Sequence, residues 1–421
     1  MSKFLLLLTG KFSAVKAYLK RVIADGGTTS DPAHAQVVYD NTIGDEPTLI
    51  QSCDSGKATV LYNIEPTNAD FTVDRNSTKY VLGSGGTIIS YATDESAFEF
   101  NADGSYKGLL VELAATNVMF PSIPDTTWSN QSGVTITTND AVAPDGTTTA
   151  TRLEGSTWLY RNSISGTNTG TWTISCWVKA VTVGTNNTFR LSVGGNNFSS
   201  NLTATGEWQR FEFTQTNGGG TVNGLIRDDL DNSADLYIWG AQVETGPIAT
   251  SYIPTTTASV TRVKDDITQT GAQSLIGQTE GTLYVEVDWK TASGTDQYLL
   301  SVSDGTTSNW LLIYKATTGN LNMYAVADGN NKTNQGESSS AYSGIQKFAF
   351  AYAEEDFELY RNGSIVGTAD TSGSLASLAT LTDIDLGQSP TAFEQANLHI
   401  RAVALFTRRL SGTDLGALTT L

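Results

Sequence analysis

The chain of 421 residues contains only two cysteines and two histidines. Cys53 and Cys176 lie far apart in the sequence, so they form neither a disulfide framework nor a zinc site, and two reduced structural cysteines are expected. A serine triad, a histidine-ligated zinc ion and a histidine general base are each poorly supplied by His34 and His399 alone. The sequence therefore argues against the enzyme classes that rely on these residues.

Long apolar runs and basic residues are also scarce. No apolar run approaches the length that spans a bilayer, so membrane insertion is not expected. The apolar run after Lys3 is shorter than the core of a usual secretory signal, and Lys16 and Lys20 follow it closely. Lys and Arg total 25 against 43 Asp and Glu, a net charge of −18. Such a surface repels phosphate backbones and anionic lipid, so nucleic acid is not an expected partner.

Short strand-like runs make up most of the remaining sequence. Hydrophobic residues form 39% of the chain, which supplies cores, and the length suits about three domains. Clusters of Asn, Gly, Ser and Thr separate the runs, and many short strands with such turns are typical of sandwiches. The expected fold class is all-β, with tandem β-sandwich (jelly-roll) domains and a short N-terminal α-helix.

The helix is predicted within residues 1–30. Apolar residues recur there at alternating spacings of three and four: Leu5, Leu8, Phe12, Val15, Leu19 and Val22. Such a stripe is a heptad pattern, weakened by Gly10 and ended by Asp25-Gly26-Gly27. Three heptads are marginal in water on their own, so the helix either packs on its own domain or serves docking or trimerisation.

A small β-rich module is predicted over residues 31–120. Two runs within it have a recognisable order of residues. The first contains Phe71, Arg75, Ser77, Thr78, Tyr80 and Val81, and the second contains Gly108, Leu109, Leu110, Glu112, Thr116 and Asn117. These runs resemble a recurrent module of bacteriophage proteins. Between them, Asn101 to Gly104 is expected to form a turn that leads into a buried strand.

Residues 121–256 are predicted to form a jelly roll. Its last strand is expected at Leu236 to Val243, with a turn at Gly246-Pro247 and a second short run, Ala249 to Ile253, that ends at Pro254 and feeds a linker. Four segments resemble the carbohydrate-binding-type jelly roll of phage structural proteins: APDGTTTATRLEG, TISCWVKA, GEWQRFEFT and LYIWGAQVETG.

Residues 257–421 are predicted to form a second sandwich. Three features are expected in this order: a hairpin at Asn362-Gly363, a turn at Asp385-Leu386-Gly387, and a final strand and short helix over Ile400 to Leu418. A type I′ turn needs positive φ at both central residues, which suits Asn-Gly. This order resembles a concanavalin A-like (laminin G-like) lectin/glucanase domain.

One pair of acids has the spacing of a glycosidase. Alternation along a strand places Glu286 and Asp288 on one face, as in glycosidases of the concanavalin A-like fold. Those enzymes carry a third acid on the same face, at the position held here by Thr291. Because acid and nucleophile cannot both be assigned, catalysis is not expected.

A second group of acids precedes the last jelly-roll strand. Asp229, Asp231 and Asp235 place oxygen ligands at alternate positions, as Ca²⁺ prefers. A solvated acidic loop explains the same residues. No cofactor is expected to be required, and a structural calcium ion at these three aspartates is one of the two interpretations.

Aromatic side chains are the candidates for sugar contact. Three tryptophans within strand patterns are expected in the core: Trp177, Trp208 and Trp239. Trp158, Tyr160 and the adjacent Arg161 have polar neighbours and suit an exposed platform. In the last domain, Asp304 and Trp310 are the equivalent candidates.

Together, the resemblances imply a phage virion protein on the particle surface, at a tail fibre, tail tip or capsid fibre. It would present lectin-like modules for non-covalent binding of host surface glycans. Its N-terminal helix would contact other virion proteins or form a homotrimer. The alternatives are a capsid decoration or head-fibre protein without ligand and, third, a polysaccharide-degrading enzyme that uses Glu286 and Asp288.

Overall fold

A computed structural model describes residues 5–9, 17–22, 34–39 and 49–52, and then residues 71–130, 134–155, 158–164, 169–194, 197–219, 222–227, 234–289, 296–338, 342–392 and 395–421. Side chains are described from residue 71 onward, except in the strand 158–164 and at some neighbouring positions. Nearly all regular structure in this part of the chain is β, which confirms the all-β fold class.

The first described strands are β1 Leu5–Thr9, β2 Ala17–Val22, β3 His34–Tyr39, β4 Leu49–Ser52, β5 Thr72–Asp74, β6 Lys79–Leu82, β7 Ile88–Tyr91, β8 Phe98–Phe100, β9 Tyr106–Val111 and β10 Ala115–Asn117. The middle strands are β11 Ser129–Asn130, β12 Val134–Ala141, β13 Ala150–Gly155, β14 Trp158–Ile164, β15 Thr169–Ala180, β16 Thr188–Val193, β17 Leu202–Thr203, β18 Gln209–Gly218, β19 Val222–Arg227, β20 Asp235–Thr245 and β21 Val260–Arg262. The last are β22 Asp266–Gln269, β23 Gly281–Trp289, β24 Gln297–Ser303, β25 Trp310–Lys315, β26 Asn320–Ala327, β27 Asn330–Ser338, β28 Gly344–Ala353, β29 Asp356–Arg361, β30 Ser364–Ile365, β31 Asp383–Leu386 and β32 Leu398–Phe406, followed by helix α1 Gly412–Thr419.

The chain divides into two compact units. Unit 1 comprises residues 1–76, 93–113 and 264–421, and unit 2 comprises residues 77–92 and 114–263. This division differs from the predicted one, because residues 31–120 contribute strands to both units. The reason is long-range pairing: β5 pairs with β22 and β9 pairs with β32, both within unit 1.

The predicted N-terminal helix is wrong for the residues that the structure describes there. β1 and β2 pair antiparallel, with Leu5 opposite Val22 and Leu8 opposite Leu19, and β2 also pairs with β3. Short apolar runs fit a strand as well as a helix, and Gly10 separates the two runs. The docking or trimerisation role therefore has no helix to carry it at these positions.

Unit 1 is a sandwich of two antiparallel sheets. One has seven strands in the order β27-β26-β25-β24-β31-β22-β5, and the other follows β30-β29-β28-β23-β32-β9-β8, with β4 also paired to β32. Alternate residues of each sheet face the core between them, including the fully buried Val285, Val302, Leu311 and Phe350. The inner faces thus supply the core and leave the outer faces for other contacts.

Of the closing features predicted for unit 1, the hairpin and the final strand and helix are confirmed, whereas Asp385 and Leu386, predicted in a turn, end strand β31 and only Gly387 (φ 70°) follows it. Asn362 and Gly363 have φ of 47° and 87° and form the turn between β29 and β30. Helix α1 begins after Ser411, whose side chain accepts a hydrogen bond from the Asp414 backbone N–H. The helix buries Leu415 with other apolar residues on the outer face of the sheet that contains β23.

Unit 2 is a jelly roll of two five-stranded sheets, β12-β13-β20-β15-β18 and β11-β14-β19-β16-β17. Cys176 lies in the core between them, and burial raises the pKa of its thiol to about 12. A second apolar cluster includes Trp177, Trp239 and Tyr252, with ring centroids 4.6–5.5 Å apart. These two tryptophans are core residues as predicted, whereas Trp208 is half-buried against the same cluster.

The segment after β20 packs back onto unit 2 instead of feeding a linker. Glu244, on β20, accepts hydrogen bonds from the Thr250 backbone N–H (2.9 Å) and hydroxyl (2.7 Å). Gln242 accepts one from the Ile253 N–H (2.8 Å). Burial raises the pKa of the Glu244 carboxyl above its usual range. These hydrogen bonds hold residues 249–253 against β20, and residues 249–253 do not form the predicted second strand.

Candidate functional site

Four aromatic side chains share the outer face of the seven-stranded sheet of unit 1: Tyr298, Trp310, Tyr314 and Tyr324. Tyr298 pairs with Tyr314 across β24 and β25, and Tyr324 of β26 pairs with Leu312. Residues on alternate positions, such as the fully buried Leu311, face the core. We call these four side chains the aromatic face.

The rings of the aromatic face contact one another in a continuous row. Tyr298 and Tyr314 are stacked, with centroids 5.3 Å apart and planes at 17°. Tyr314 and Tyr324 lie 6.4 Å apart edge to face, and Tyr324 and Trp310 lie 4.9 Å apart. All four residues are half-buried, whereas Leu312 on the same face is fully buried. The row therefore forms a partly exposed apolar surface across three strands.

The loop before β25 fixes the orientation of Trp310. Its Nε1 donates to the Thr307 carbonyl (2.9 Å). Asp304 accepts from the Thr306 N–H (2.9 Å) and hydroxyl (2.6 Å) with one oxygen, and from Asn309 Nδ2 (2.8 Å) with the other. Both oxygens of Asp304, which was predicted to contact sugar, therefore accept hydrogen bonds within the loop. Trp310, the other predicted residue, is the first residue of β25 and belongs to the aromatic face.

Polar side chains continue across the same outer face. Ser303 lies between Trp310 and Asp383 in one cross-strand row, and Ser301 pairs with Asp385 in the next. Four aspartates occupy outward positions on β5, β22 and β31: Asp74, Asp266, Asp383 and Asp385. We call these four the acidic strip. Ser301, Ser303 and Asp385 are buried, so the accessible polar groups on this side of the aromatic face are the carboxylates of Asp74, Asp266 and Asp383.

Asp385 is the buried member of the acidic strip, only 4% exposed. Burial is the main cause that raises the pKa of its carboxyl to about 6, and hydrogen bonds from Thr268 and Gln388 oppose that rise. Thr268 Oγ1 lies 2.8 Å from its Oδ1. Gln388 Nε2 also donates to Asp266 (2.7 Å), so one amide connects two of the carboxylates.

The raised pKa of Asp385 predicts that this carboxyl contributes stability to unit 1 at low pH and that this contribution is lost as pH rises. The unfolded pKa is about 3.9, so between about pH 4 and 6 the folded state binds more protons and stability falls with pH. The loss is about 3 kcal/mol in total and is complete above pH 6. Urea unfolding at pH 4.5 and 7.5 should show a smaller difference for Asp385→Asn than for wild type. Asp383→Asn, at the half-exposed neighbour, is the control, and equal pH dependence in wild type and Asp385→Asn would contradict the prediction.

The predicted acid pair lies on the outer face of the other sheet of unit 1. Glu286 and Asp288 share a face of β23, as alternation requires. Arg401 Nε donates to Glu286 (2.9 Å), and the Tyr284 hydroxyl donates to its other oxygen (3.3 Å). Thr291 lies outside the described residues. Glu286 is therefore the counter-ion of an arginine.

The predicted platform of unit 2 lies on β14. Trp158 pairs with Arg227 and Tyr160 with Leu225, which places positions 158 and 160 on one face of the sheet, while position 161 is on the other. The side chains of Trp158, Tyr160 and Arg161 lie outside the described residues, so their role in sugar contact stays a prediction.

The predicted calcium ligands are only partly described. Asp229 and Asp231 lie outside the described residues. Asp235 accepts two hydrogen bonds from Arg152, from Nε (2.7 Å) and Nη2 (2.9 Å). In the described part of the chain, no three His, Cys, Asp or Glu residues are grouped to hold a metal ion. The calcium site stays a prediction.

No helix among the described residues is long and apolar enough to cross a membrane. Sequence reasoning named Trp310 but missed Tyr298, Tyr314 and Tyr324. Each tyrosine lies at an outward position of an alternating strand, and this alternation is the pattern from which an exposed ring was predictable. Which strands are neighbours, and in which register, was not readable from the sequence.

Comparison with known proteins adds little to this geometry. No family model and no curated protein matches the chain. Among solved structures, the chain is similar to the CBM40 of Ruminococcus gnavus IT-sialidase bound to α2,3-sialyllactose (22% identity, TM-score 0.29, 34% of this chain and 83% of that one). It is also similar to a leech intramolecular trans-sialidase (18%, 0.31, 36% and 24%) and to a SAP-like pentraxin from Limulus polyphemus (14%, 0.26, 32% and 68%). At these TM-scores the similarities carry no argument about function, and the resemblance to phage proteins stays a prediction.

Proposed function

We propose that this protein binds glycans, without changing them chemically, through the aromatic face of unit 1. The observation that carries the proposal is the row of four half-buried rings on the same outer face as three accessible carboxylates of the acidic strip, Asp74, Asp266 and Asp383. A pyranose ring has an apolar C–H face and polar edges. An aromatic surface on the same face as accessible carboxylate groups matches both parts.

The aromatic face is not needed to build the core of unit 1. The inner faces of the two sheets already supply fully buried residues such as Leu311 and Val285. A contiguous apolar surface on an outer face is typical of an interaction site. Because Trp310 Nε1 is already hydrogen-bonded to the Thr307 carbonyl, the indole would contact a ligand through its apolar face.

Substitution in the aromatic face tests this proposal. We expect Trp310→Ala and Tyr314→Ala each to weaken glycan binding at least tenfold, because each removes one ring that stacks on the sugar. The measurement is a glycan array followed by calorimetry on the bound glycan. Trp208→Ala, at a half-buried tryptophan of unit 2, is the matched control. Binding that survives both aromatic-face substitutions in a folded protein would contradict the proposal.

The proposed setting is the surface of a phage particle, at a tail fibre, tail tip or capsid fibre, with host surface glycans and other virion proteins as partners. The sequence resemblances support this setting, and a net charge of −18 favours solubility at high local copy number. Immunogold labelling of intact particles with an antibody against unit 1 tests it. Label at the tail supports host recognition, label over the head supports a capsid fibre, and unlabelled particles contradict the setting.

The second candidate is a decoration or fibre protein without ligand. This candidate is supported by the contacts of the residues that carry the phage resemblance, which are internal. Arg75 pairs with Asp265, and Asn117 makes four hydrogen bonds within unit 2. A glycan array on which neither the wild type nor any variant binds would favour this candidate.

The proposed function includes no catalytic step. Glu286 is paired with Arg401 and also accepts a hydrogen bond from Tyr284, so both of its oxygens have partners within the protein. Polysaccharide length should stay constant during incubation with the protein. Shortening that disappears in Glu286→Gln would instead support the third candidate, a polysaccharide-degrading enzyme.

A further inference from the structure

Six of the seven strands that carry the aromatic row have outward charge of one sign. On strands β5, β22, β24, β25, β26 and β31, the outward positions hold the four aspartates of the acidic strip and no basic residue. Lys315 is the one basic residue within these six described strands. By alternation it faces inward, and its Nζ lies 5.7 Å from the ring centroid of Trp289. These six strands therefore offer negative charge without an outward cation, and the nearest basic residue of the seventh strand is Lys332 of β27, beside β26.

The acidic strip lies within reach of a sugar on the aromatic face. Asp383 pairs with Ser303, and Ser303 pairs with Trp310, so two strand spacings, about 10 Å, separate the carboxylate from the indole backbone. Asp383 is half-exposed. Ser303, between them, is buried, so a pyranose stacked on Trp310 would lie about this distance from the carboxylate. The separation is about the Debye length at physiological salt, so the charges still interact.

We infer that the aromatic face binds glycans built from uncharged sugars and rejects those that carry carboxylates, such as uronic and sialic acids. The inference rests on the proposed function, since it concerns the selectivity of the same face. A carboxylate on the ligand meets like charge from the acidic strip. On these strands it also finds no arginine or lysine to form the charge-assisted hydrogen bonds that carboxylate recognition uses. Uncharged hydroxyl groups, in contrast, donate hydrogen bonds to aspartate.

Paired glycans that differ in charge test this inference. The probes are methyl-esterified and de-esterified galacturonan oligosaccharides of equal length, and lactose beside 3′-sialyllactose, within an array of neutral polysaccharides. We expect the bound glycans to be uncharged, and each acidic counterpart to bind at least tenfold more weakly at low salt. Acidic glycans that bind as tightly, through a site lost in Trp310→Ala, would overturn the inference and leave the proposed function standing. An array without any bound glycan would overturn both.

A charge change at the strip provides a second test. We expect Asp383→Asn to raise the ratio of acidic to neutral binding at least fivefold, and Asp383→Lys to raise it further. Glu207→Gln, at an exposed acid of unit 2, makes the same charge change away from the face and should leave the ratio unchanged. Added salt should narrow the difference between the paired probes. A ratio that does not respond to Asp383 would show that the acidic strip does not select the ligand.

Discussion

Replacing Asn117 by alanine should lower the free energy of unfolding of unit 2 by about 4 kcal/mol or more. The side chain is fully buried. Its Nδ2 donates to the carbonyls of Ala241 (3.2 Å) and Ile253 (2.9 Å), and its Oδ1 accepts from the N–H groups of Met119 and Val243 (both 3.0 Å). Alanine would leave four buried backbone groups without this partner, and each such group costs about 1–3 kcal/mol.

Urea unfolding followed by tryptophan fluorescence measures this loss. Thr116→Ala is the matched control, because the adjacent residue makes one exposed hydroxyl contact, with Thr261 (2.7 Å). We expect that control to lie within about 1 kcal/mol of wild type. An Asn117→Ala protein as stable as the Thr116→Ala protein would contradict the role given to Asn117.

Replacing Arg75 by methionine should destabilise unit 1 by about 3–5 kcal/mol. Arg75 Nη1 lies 3.0 Å from Asp265 Oδ1, and both side chains are almost completely buried. Asp265 Oδ2 also accepts a hydrogen bond from the Glu112 N–H (2.8 Å). Methionine fills similar space but leaves the Asp265 carboxylate buried without its paired guanidinium, which is the costly outcome for an ion pair.

Two further variants separate charge from packing in the same urea experiment. Arg361→Met breaks a partly exposed ion pair with Glu337 in the same unit and should cost about 1 kcal/mol or less. The double variant Arg75→Met/Asp265→Leu removes both buried charges and should recover part of the loss. Equal losses in Arg75→Met and Arg361→Met would show that burial of the pair is not decisive.

Asn117 and Arg75 show what the segments that resemble phage proteins contribute to this structure. Arg75 and Glu112 lie in the two runs quoted for the resemblance, and both connect to Asp265. Asn117 and Glu244 hold the crossing segments of unit 2. The most recognisable sequence features therefore stabilise each unit, while the candidate glycan site is built from other residues.

Local patterns in the sequence were sufficient for several elements. Alternation predicted strands such as Leu398–Phe406, and an Asn-Gly pair predicted the turn at Asn362 because few other residues accept positive φ. Trp177 and Trp239 were predicted as core residues and are buried. The same approach failed for Leu5–Thr9, because four leucines in a row fit helical and extended periodicity equally.

The candidate site shows what local sequence patterns do not predict. Trp310 was predicted to contact sugar, but its partners Tyr298, Tyr314 and Tyr324 come from three strands whose register the sequence does not specify. Asp304 has the residue type of a sugar ligand, but its loop takes up both carboxylate oxygens. A residue type predicts what a side chain is able to do, whereas its neighbours determine what it does.

The sequence by itself determined that most of this protein is built of strands and, where apolar and polar residues alternate, which of them face a core. Both follow from the two-residue period of side chains along an extended backbone. Only the tertiary structure decided which strands are neighbours: Val73 lies opposite Ile267, and Leu109 lies opposite Ile400. The hydrogen bonds that join strands involve only backbone groups, which are the same in almost every residue. Pairing across such distances is therefore selected by how the whole core packs, and that selection brought the four rings and the four aspartates onto one face.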